Sequence, residues 1–193
     1  MSERVVVISG VTGAGKTEIA RAVERRIMVR KVISCTTRSP RPGEVDGREY
    51  HFLSKDYFMG YVAMDEFVEH SPLYGNFYGT LRADIEEHLA SPEIAMLVMD
   101  IQGLEKIARM YPAAQTFFLN APMQDLIRRH RVRETTEAER EERKQSLAGE
   151  IMLGVNSPQV QNIIHNRDGD FDGAVEQICH IIEKRVGHSL ARL

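Results

Sequence analysis

Short runs of apolar residues alternate along the chain with stretches in which apolar residues recur every three or four positions. Two runs, residues 5–8 and 94–100, are apolar almost throughout, which is typical of strands buried on both faces of a parallel sheet. Similar shorter runs predict three more strands, at residues 31–34, 115–119 and 162–165. Strands that alternate with helices predict an α/β fold with a mostly parallel, five-stranded core sheet flanked by helices.

The stretches between these runs predict helices that each have one apolar face. The helix after the first strand carries apolar residues at helical spacing, namely Ile19, Ala20, Val23 and Ile27. Asp170 or Asp172 caps the last predicted helix, whose apolar residues are Val175, Ile178, Ile182 and Val186. Other helices are predicted at residues 54–61 with Ser54 as N-cap, at 81–89, at 103–110, and from Pro122 through the charge-dense residues 128–144.

Residues 35–80 do not follow this alternation. Pro40 and Pro42 exclude a regular helix near the start of the segment, because proline has no backbone N–H and its φ is restricted. Around Gly75 and Asn76 the pattern predicts extended segments joined by a turn. A long structured connection of this kind is often functional.

Composition narrows the class of protein without naming a function. The chain has 193 residues, enough for one domain, and a net charge of −3, which argues weakly against a broad nucleic-acid surface. Its two cysteines have no metal-ligand spacing, and neither a signal-peptide pattern nor a membrane-length apolar run is present. We therefore expect a protein of the reducing cytoplasm that binds neither membrane nor nucleic acid, and its oligomeric state stays open.

The residues after the first strand match the phosphate-binding pattern GxxxxGK[ST]. The loop reads Gly10-Val11-Thr12-Gly13-Ala14-Gly15-Lys16-Thr17 and lies between a predicted strand and a predicted helix. Glycines let the backbone N–H groups turn inward toward phosphate oxygens, and the helix N-terminus adds partial positive charge. In this pattern the lysine reaches the β- and γ-phosphates and the hydroxyl binds Mg²⁺, which predicts an ATP site with Lys16 and Thr17 in those roles.

A second set of residues suits a phosphorylated acceptor. Arg38 and Arg41 lie three residues apart on the proline-rich segment, and arginine binds phosphate through paired hydrogen bonds. Glu69 offers the kind of carboxylate that accepts the N1–H and N2–H₂ donors of guanine, a pair that adenine lacks. Asp100 ends a buried strand, where open α/β sheets place ligand-facing groups.

Here the sequence resembles guanylate kinase, over residues from about 5 to 182. The resemblance rests on Ser34-x-Thr-Thr-Arg38-x-Pro-Arg41-Pro-Gly-Glu44, with Asp46-Gly47 and Tyr50-His51-Phe52, on Glu69, on Gly75-Asn76-Phe77-Tyr78-Gly79-Thr80 and on Asp100-Ile101-Gln102-Gly103. It implies a P-loop kinase that transfers phosphate from ATP to GMP with Mg²⁺. It also implies a GMP-binding region at residues 35–80, a lid at 129–146, and a core made of 1–34, 81–128 and 147–193.

The resemblance also implies roles for individual residues. The GMP phosphate would be held by Ser34, Arg38, Arg41, Tyr50 and Tyr78, and the guanine would be read by Glu69, Thr80 and Asp100. ATP would bind to Gly10, Gly13, Ala14, Gly15, Lys16, Thr17 and Asn166. The catalytic cations would be Lys16 with the lid arginines Arg133 and Arg143.

Two departures from the family pattern keep other functions open. Val98 replaces the first carboxylate of the usual D-x-D at the strand end, and Glu134 replaces a lid glycine. These changes admit a related P-loop kinase with another small phosphorylated acceptor. They also admit a catalytically weak domain of guanylate kinase type that binds partners.

Overall fold

The computed structural model describes residues 4–73, 75–130 and 136–190, with only the backbone described at His130 and at 186–190. Its larger sheet has five parallel strands in the order β2-β7-β1-β8-β9. The strands are β1 (Val5–Gly10), β2 (Val29–Lys31), β7 (Ile94–Val98), β8 (Gln115–Asn120) and β9 (Asn162–His165).

The central strand explains the apolar run at the start of the chain. β1 is hydrogen-bonded to β7 on one side and to β8 on the other, and all six of its residues are buried. Helices cover both faces of the sheet, so neither set of alternating side chains reaches water. The predicted fold class is confirmed.

Seven helices are assigned within the described residues. They are α1 (Lys16–Glu24), α2 (Lys55–Ala63), α3 (Arg82–Ala90), α4 (Ile101–Met110), α5 (Met123–His130), α6 (Glu137–Asn156) and α7 (Phe171–Leu190). One apolar cluster packs α1, α5, α6 and α7 on one face of the sheet, and a second packs α3 and α4 on the other. None of these helices has the length and low charge that crossing a bilayer requires.

A smaller sheet is formed by the chain between β2 and α3. Its strands are β3 (Cys35–Thr36), β4 (His51–Phe52), β5 (Phe67–Leu73) and β6 (Asn76–Leu81), in the order β4-β3-β6-β5. β5 and β6 pair antiparallel across the predicted turn. Helix α2 starts at the predicted N-cap, and its Phe58 packs with Cys35 and Phe67 in a small apolar core of their own.

Two sequence predictions are wrong in their boundaries. The strand predicted at 31–34 is Val29–Lys31, because pairing with β7 sets its register and the chain then turns toward the smaller sheet. The single long helix predicted from Pro122 is two helices, α5 and α6. Thr136 forms a capping box with Glu139, which starts a new helix there.

The strand predicted at residues 94–100 also ends early. β7 stops at Val98, and Asp100 is the N-cap of α4, where its Oδ1 accepts the Gly103 N–H at 2.8 Å. In the last helix, Val175, Ile178 and Ile182 are buried as predicted, whereas the side chain of Val186 lies outside the described part.

Candidate active site

The glycine loop joins the carboxyl end of β1 to the N-terminus of α1. Gly15 is the N-cap of α1 with φ +87°, and a Cβ at this position would lie 2.7 Å from Asn166 Nδ2. Gly10 packs so closely on β8 that a Cβ there would lie 2.3 Å from the Leu119 carbonyl oxygen. Both positions therefore require glycine, and the loop stays close to the sheet.

Lys16 lies over the inner side of this loop. Its Nζ donates to the carbonyl oxygens of Gly10 at 2.7 Å and Val11 at 3.3 Å. Burial lowers the pKa of Lys16, and the charges of Glu150 and Asp100 act in the opposite direction. The ammonium is held by two backbone carbonyl oxygens of the loop, which the oxygens of a phosphate group can replace as hydrogen-bond acceptors.

Two side chains from distant parts of the chain brace the loop. Asn166, which is buried after β9, donates from Nδ2 to the Ala14 carbonyl at 2.9 Å. Arg129, at the end of α5, donates to the Gly13 carbonyl at 3.0 Å and to the Asn166 carbonyl at 2.8 Å. These bonds hold the Gly13 and Ala14 carbonyls from the side of α5 and β9 and fix the course of the loop.

A recess of about 290 Å³ opens beside the loop, on the side of Asn166. Arg129, Arg167 and Phe171 contribute to its lining. Of the lining residues, the sequence prediction assigned Gly13, Gly15 and Asn166 to ATP binding. The signal for Arg167 and Phe171 was their position just beyond the carboxyl end of a core strand, where open α/β sheets bind ligands.

A chain of three buried hydroxyl and carboxyl groups lies where the smaller sheet meets the core. Thr80 Oγ1 donates to Glu69 Oε1 at 2.8 Å, and it lies 3.1 Å from Ser34 Oγ. Their exposed fractions are 0% for Thr80, 5% for Glu69 and 7% for Ser34. Ser34, which was predicted with the phosphate-binding arginines, is hydrogen-bonded on the predicted guanine side.

Glu69 is a carboxyl group in an apolar setting. The pKa of Glu69 is raised to about 7, mainly by burial and to a smaller extent by the charge of Asp100, while the hydrogen bond from Thr80 lowers it. Such a group is ready to accept hydrogen bonds from an incoming donor pair. Each of these hydrogen bonds is stronger than it would be in water, because the site is buried and water is already excluded.

Asp100 links the two halves of the site. Its Oδ2 accepts the Ser71 hydroxyl of β5 at 2.7 Å, while its Oδ1 caps α4. Its charge raises the pKa of both Lys16 and Glu69, so the carboxylate lies within electrostatic range of the glycine loop and of the guanine-side cluster.

The predicted phosphate-binding arginines differ in their pairing. Arg38 forms two hydrogen bonds with Glu44, at 3.0 and 2.9 Å, and this pairing raises the pKa of Arg38. Its guanidinium lies 5.7 Å from the ring centroid of Tyr50, and the Tyr50 ring lies edge-on to Tyr78. Arg41 is exposed, and its backbone N–H donates to the same Glu44 carboxylate at 2.7 Å. Glu44 therefore arranges both arginines.

Helix α6 presents a face to the glycine loop. Leu147 is fully buried in the core, and Arg143 and Glu150 lie one turn to either side of it on the same face. Glu150 Oε2 accepts the Thr12 N–H at 2.7 Å, so one amide donor of the loop is already hydrogen-bonded to a carboxylate. The sequence prediction named Arg143 and missed Glu150, although the seven-residue spacing from Arg143 is a detectable signal.

Of the predicted catalytic groups, Arg133 lies outside the described residues, as does the departure at Glu134. Thr17 follows Lys16 in the first turn of α1, which places its hydroxyl at the loop. The described residues contain no cluster of three or more His, Cys, Asp or Glu side chains suited to a metal. One hydroxyl with phosphate oxygens and water is a ligand set that Mg²⁺ commonly adopts.

This chain matches a family model and related sequences of guanylate kinases. A family model described as guanylate kinase matches residues 2–185. The guanylate kinase of Paramagnetospirillum magneticum is 37% identical over 183 residues, which cover 93% of this chain and 85% of that protein. The guanylate kinase of Thiobacillus denitrificans is 42% identical over 117 residues, 60% of this chain and little more than half (56%) of that protein.

Structural similarity agrees with the sequence matches. The crystal structure of guanylate kinase from Anaplasma phagocytophilum superposes with a TM-score of 0.73 at 25% identity, and the alignment covers 93% of this chain and 84% of that one. The phosphate loop, the buried Glu69 cluster and these matches across the chain agree, and the chain belongs to the guanylate kinase family.

Proposed function

We propose that this chain transfers the γ-phosphoryl group of ATP to GMP, giving ADP and GDP. The observation that carries the proposal is the buried Glu69–Thr80 pair, which lies within the field of the same Asp100 that acts on Lys16. A base-reading carboxylate and a triphosphate loop would thereby act on opposite sides of Asp100. The relatives give no support to another acceptor or to a domain that only binds partners.

ATP would bind by its phosphates to the glycine loop. Backbone N–H groups from Gly10, Gly13, Ala14 and Gly15 would surround the phosphates, and Lys16 would exchange its loop carbonyls for phosphate oxygens. The base would lie in the recess lined by Asn166 and Phe171. Thr17 would hold Mg²⁺, which would neutralise part of the charge of the ATP phosphates.

GMP would bind at the smaller sheet, within residues 35–80. Glu69 as a carboxylate would accept both guanine donors, with Thr80, Asp100 and the adjoining Ser34 completing the polar wall. The 5′-phosphate would lie against Arg38, Arg41, Tyr50 and Tyr78, where Glu44 and the two tyrosine rings restrict the Arg38 guanidinium. Adenine is excluded because it offers this edge no matching pair of donors.

The transfer itself needs positive charge around the moving phosphoryl group more than it needs a base. Lys16 supplies one charge from the loop, and Arg143 supplies another from the face of α6 that contacts Thr12 through Glu150. Arg133 would act with them as part of a lid at residues 129–146, with residues 1–34, 81–128 and 147–193 as the core. We place the reaction in the cytoplasm, which contains both nucleotides. Its reducing conditions also suit the free, buried thiols of Cys35 and Cys179.

The decisive experiment is a coupled assay of ADP formation with GMP, AMP, IMP, CMP and UMP as acceptors. GMP should be preferred, and Glu69→Gln should raise the KM for GMP about tenfold to a hundredfold, the value of a hydrogen bond to a charged group. The KM for ATP should change much less. Equal loss for both substrates would show that Glu69 does not read the base, and a better acceptor than GMP would refute the proposed reaction.

A further inference from the structure

A basic cleft lies between the core and the smaller sheet. Its lining includes none of the side chains assigned above to ATP or GMP, although Gly47, Arg48 and Glu49 lie within the proposed GMP-binding region. Its volume is about 540 Å³, and its walls come from α1, β2, α3 and the loop before β4. The lining carries a formal charge of +3 in a chain whose net charge is −3. The cationic residues are Arg21, Arg25, Arg30, Lys31 and Arg48.

The two carboxylates of the cleft are already engaged. Glu24 accepts the backbone N–H of Lys31 at 2.6 Å. Glu49, which is 3% exposed, accepts hydrogen bonds from the Val45 N–H, from Arg48 and from Arg21. Neither carboxylate makes an ion pair with Arg25 or Arg30 within the described residues.

Two of the arginines are unpaired. Arg25 at the end of α1 and Arg30 on β2 are both exposed, and within the described ranges neither guanidinium makes a hydrogen bond or an ion pair. They approach the cleft from two different elements. A ligand that satisfied both would need negative charge at two places.

A buried histidine adds a second observation at the same place. His88 lines the cleft and is 7% exposed, and within the described ranges its Nε2 has no hydrogen-bond partner. Its Nδ1 lies 2.7 Å from the Asp84 carbonyl oxygen, so Nδ1 carries the proton of the neutral ring and Nε2 is an acceptor. Nε2 is itself enclosed, so His88 forms part of the cleft wall and the arginines are the groups that contact a ligand.

We propose that this cleft binds a small molecule that carries two or more phosphate groups. Arginines suit phosphate because their N–H groups pair with two oxygens at once. The lining contains no aromatic ring other than His88 and only Ile33 as an aliphatic side chain, so it offers little surface to a nucleobase. The phosphates could belong to inorganic pyrophosphate or to a phosphorylated sugar, which share this chemistry.

The cleft adjoins the proposed acceptor site through Lys31. Lys31 Nζ donates to the Glu49 carbonyl at 2.7 Å and lies 5.3 Å from the ring centroid of Tyr50. Any test must therefore keep both nucleotide sites filled, so that an added anion cannot be mistaken for a substrate analogue.

The test is calorimetric titration of inorganic pyrophosphate into the full chain saturated with GMP and a non-hydrolysable ATP analogue. We expect one site per chain, with binding about tenfold or more weaker in the double variant Arg25→Ala/Arg30→Ala. The matched control is Arg82→Ala/Arg109→Ala, which removes two arginines outside the cleft and should bind as the parent does. Neither double variant should alter kinase turnover without pyrophosphate.

A second titration with a hexose bisphosphate distinguishes the two sources, since the probe that binds more tightly identifies the class of ligand. Absence of saturable binding for both probes would overturn the proposal. Equal weakening in both double variants, or displacement of the nucleotides by the probe, would overturn it as well. The second result would mean a general charge effect, and the third would mean binding at the nucleotide sites.

Discussion

Glu69 is a residue whose charge changes near neutral pH, because burial raises its pKa to about 7. Only the ionised carboxylate accepts both guanine donors. We therefore expect the KM for GMP to fall as pH rises through about 7, in steady-state assays between about pH 6 and 8.5 at saturating ATP.

The matched variant for this pH prediction is Glu69→Gln, which keeps the shape of the side chain and cannot ionise. Its KM for GMP should follow only the titration of the substrate phosphate. Profiles of the same slope in both proteins would contradict the prediction. The raised pKa also has a consequence for folding, since the empty protein should lose stability as pH rises from about 4.5 to about 7.

Lys16 is bonded to carbonyl groups that belong to its own loop. Its removal takes away a charge beside the transferred phosphoryl group without removing a core side chain. We expect Lys16→Ala to lower kcat by about 10²–10³-fold, by analogy with the loss of one preorganised electrostatic donor. The thermal unfolding midpoint should stay close to that of the parent.

A matched control for Lys16 is Lys55→Ala, which removes an exposed lysine on α2 in the smaller sheet region. This variant should retain full turnover. If Lys16→Ala lost activity only in proportion to a loss of folded protein, the catalytic role would be wrong.

Among the elements, α6 depends on close contact with the sheet. Gly154 is buried against β8, and a Cβ there would lie 2.0 Å from the Phe118 ring. We expect Gly154→Ala to destabilise the protein by about 1–3 kcal/mol, measured by urea unfolding, since the helix must move to make room. Because α6 also carries Arg143 and Glu150, kcat should fall together with stability.

The same helix provides the control. Gly149 is exposed, and a Cβ at this position would meet nothing within 4 Å. Gly149→Ala should therefore stabilise the protein by about 0.5–1 kcal/mol through helix propensity. Destabilisation of equal size in both variants would mean that contact with Phe118 is not the cause.

The boundaries of helices, strands and turns were predicted correctly where they depend on residues within or next to the element. Ser54 caps α2 and the hairpin turns near Gly75, because caps and turns depend on adjacent residues. It failed where a partner sets the boundary. β2 ends where its register with β7 ends, and the break before α6 depends on a capping box hidden within a charged stretch.

For the molecule as a whole, Glu49 joins the smaller sheet region to the core. It lies in the loop before β4 and accepts a hydrogen bond from Arg21 of α1 at 2.8 Å. The Val45 N–H and then the neighbouring arginines lower the pKa of Glu49 to about 2. Its ionised form therefore stabilises the junction above about pH 4.5, and this contribution is lost as pH falls through about 2.

We expect Glu49→Gln to lower the thermal unfolding midpoint clearly at pH 7 and much less at about pH 3. Glu18→Gln is the control, because Glu18 pairs with the same Arg21 from an exposed position. That change should alter the midpoint little at either pH. A deficit in Glu49→Gln that does not shrink in acid would contradict the ionic origin.

The sequence alone determined what depends on neighbouring residues: the phosphate loop, most helices, the buried strands and the family resemblance. The tertiary structure decided the contacts that assemble the site. Glu150 reaches the Thr12 amide across 138 residues of chain, and Asn166 reaches the Ala14 carbonyl across 152. The order of strands in the sheet brings these groups together, and no local sequence pattern encodes that order. The hydrogen bond from the Thr12 amide to Glu150, the contact of Ser34 with Thr80 and the basic cleft could therefore be identified only from the tertiary structure.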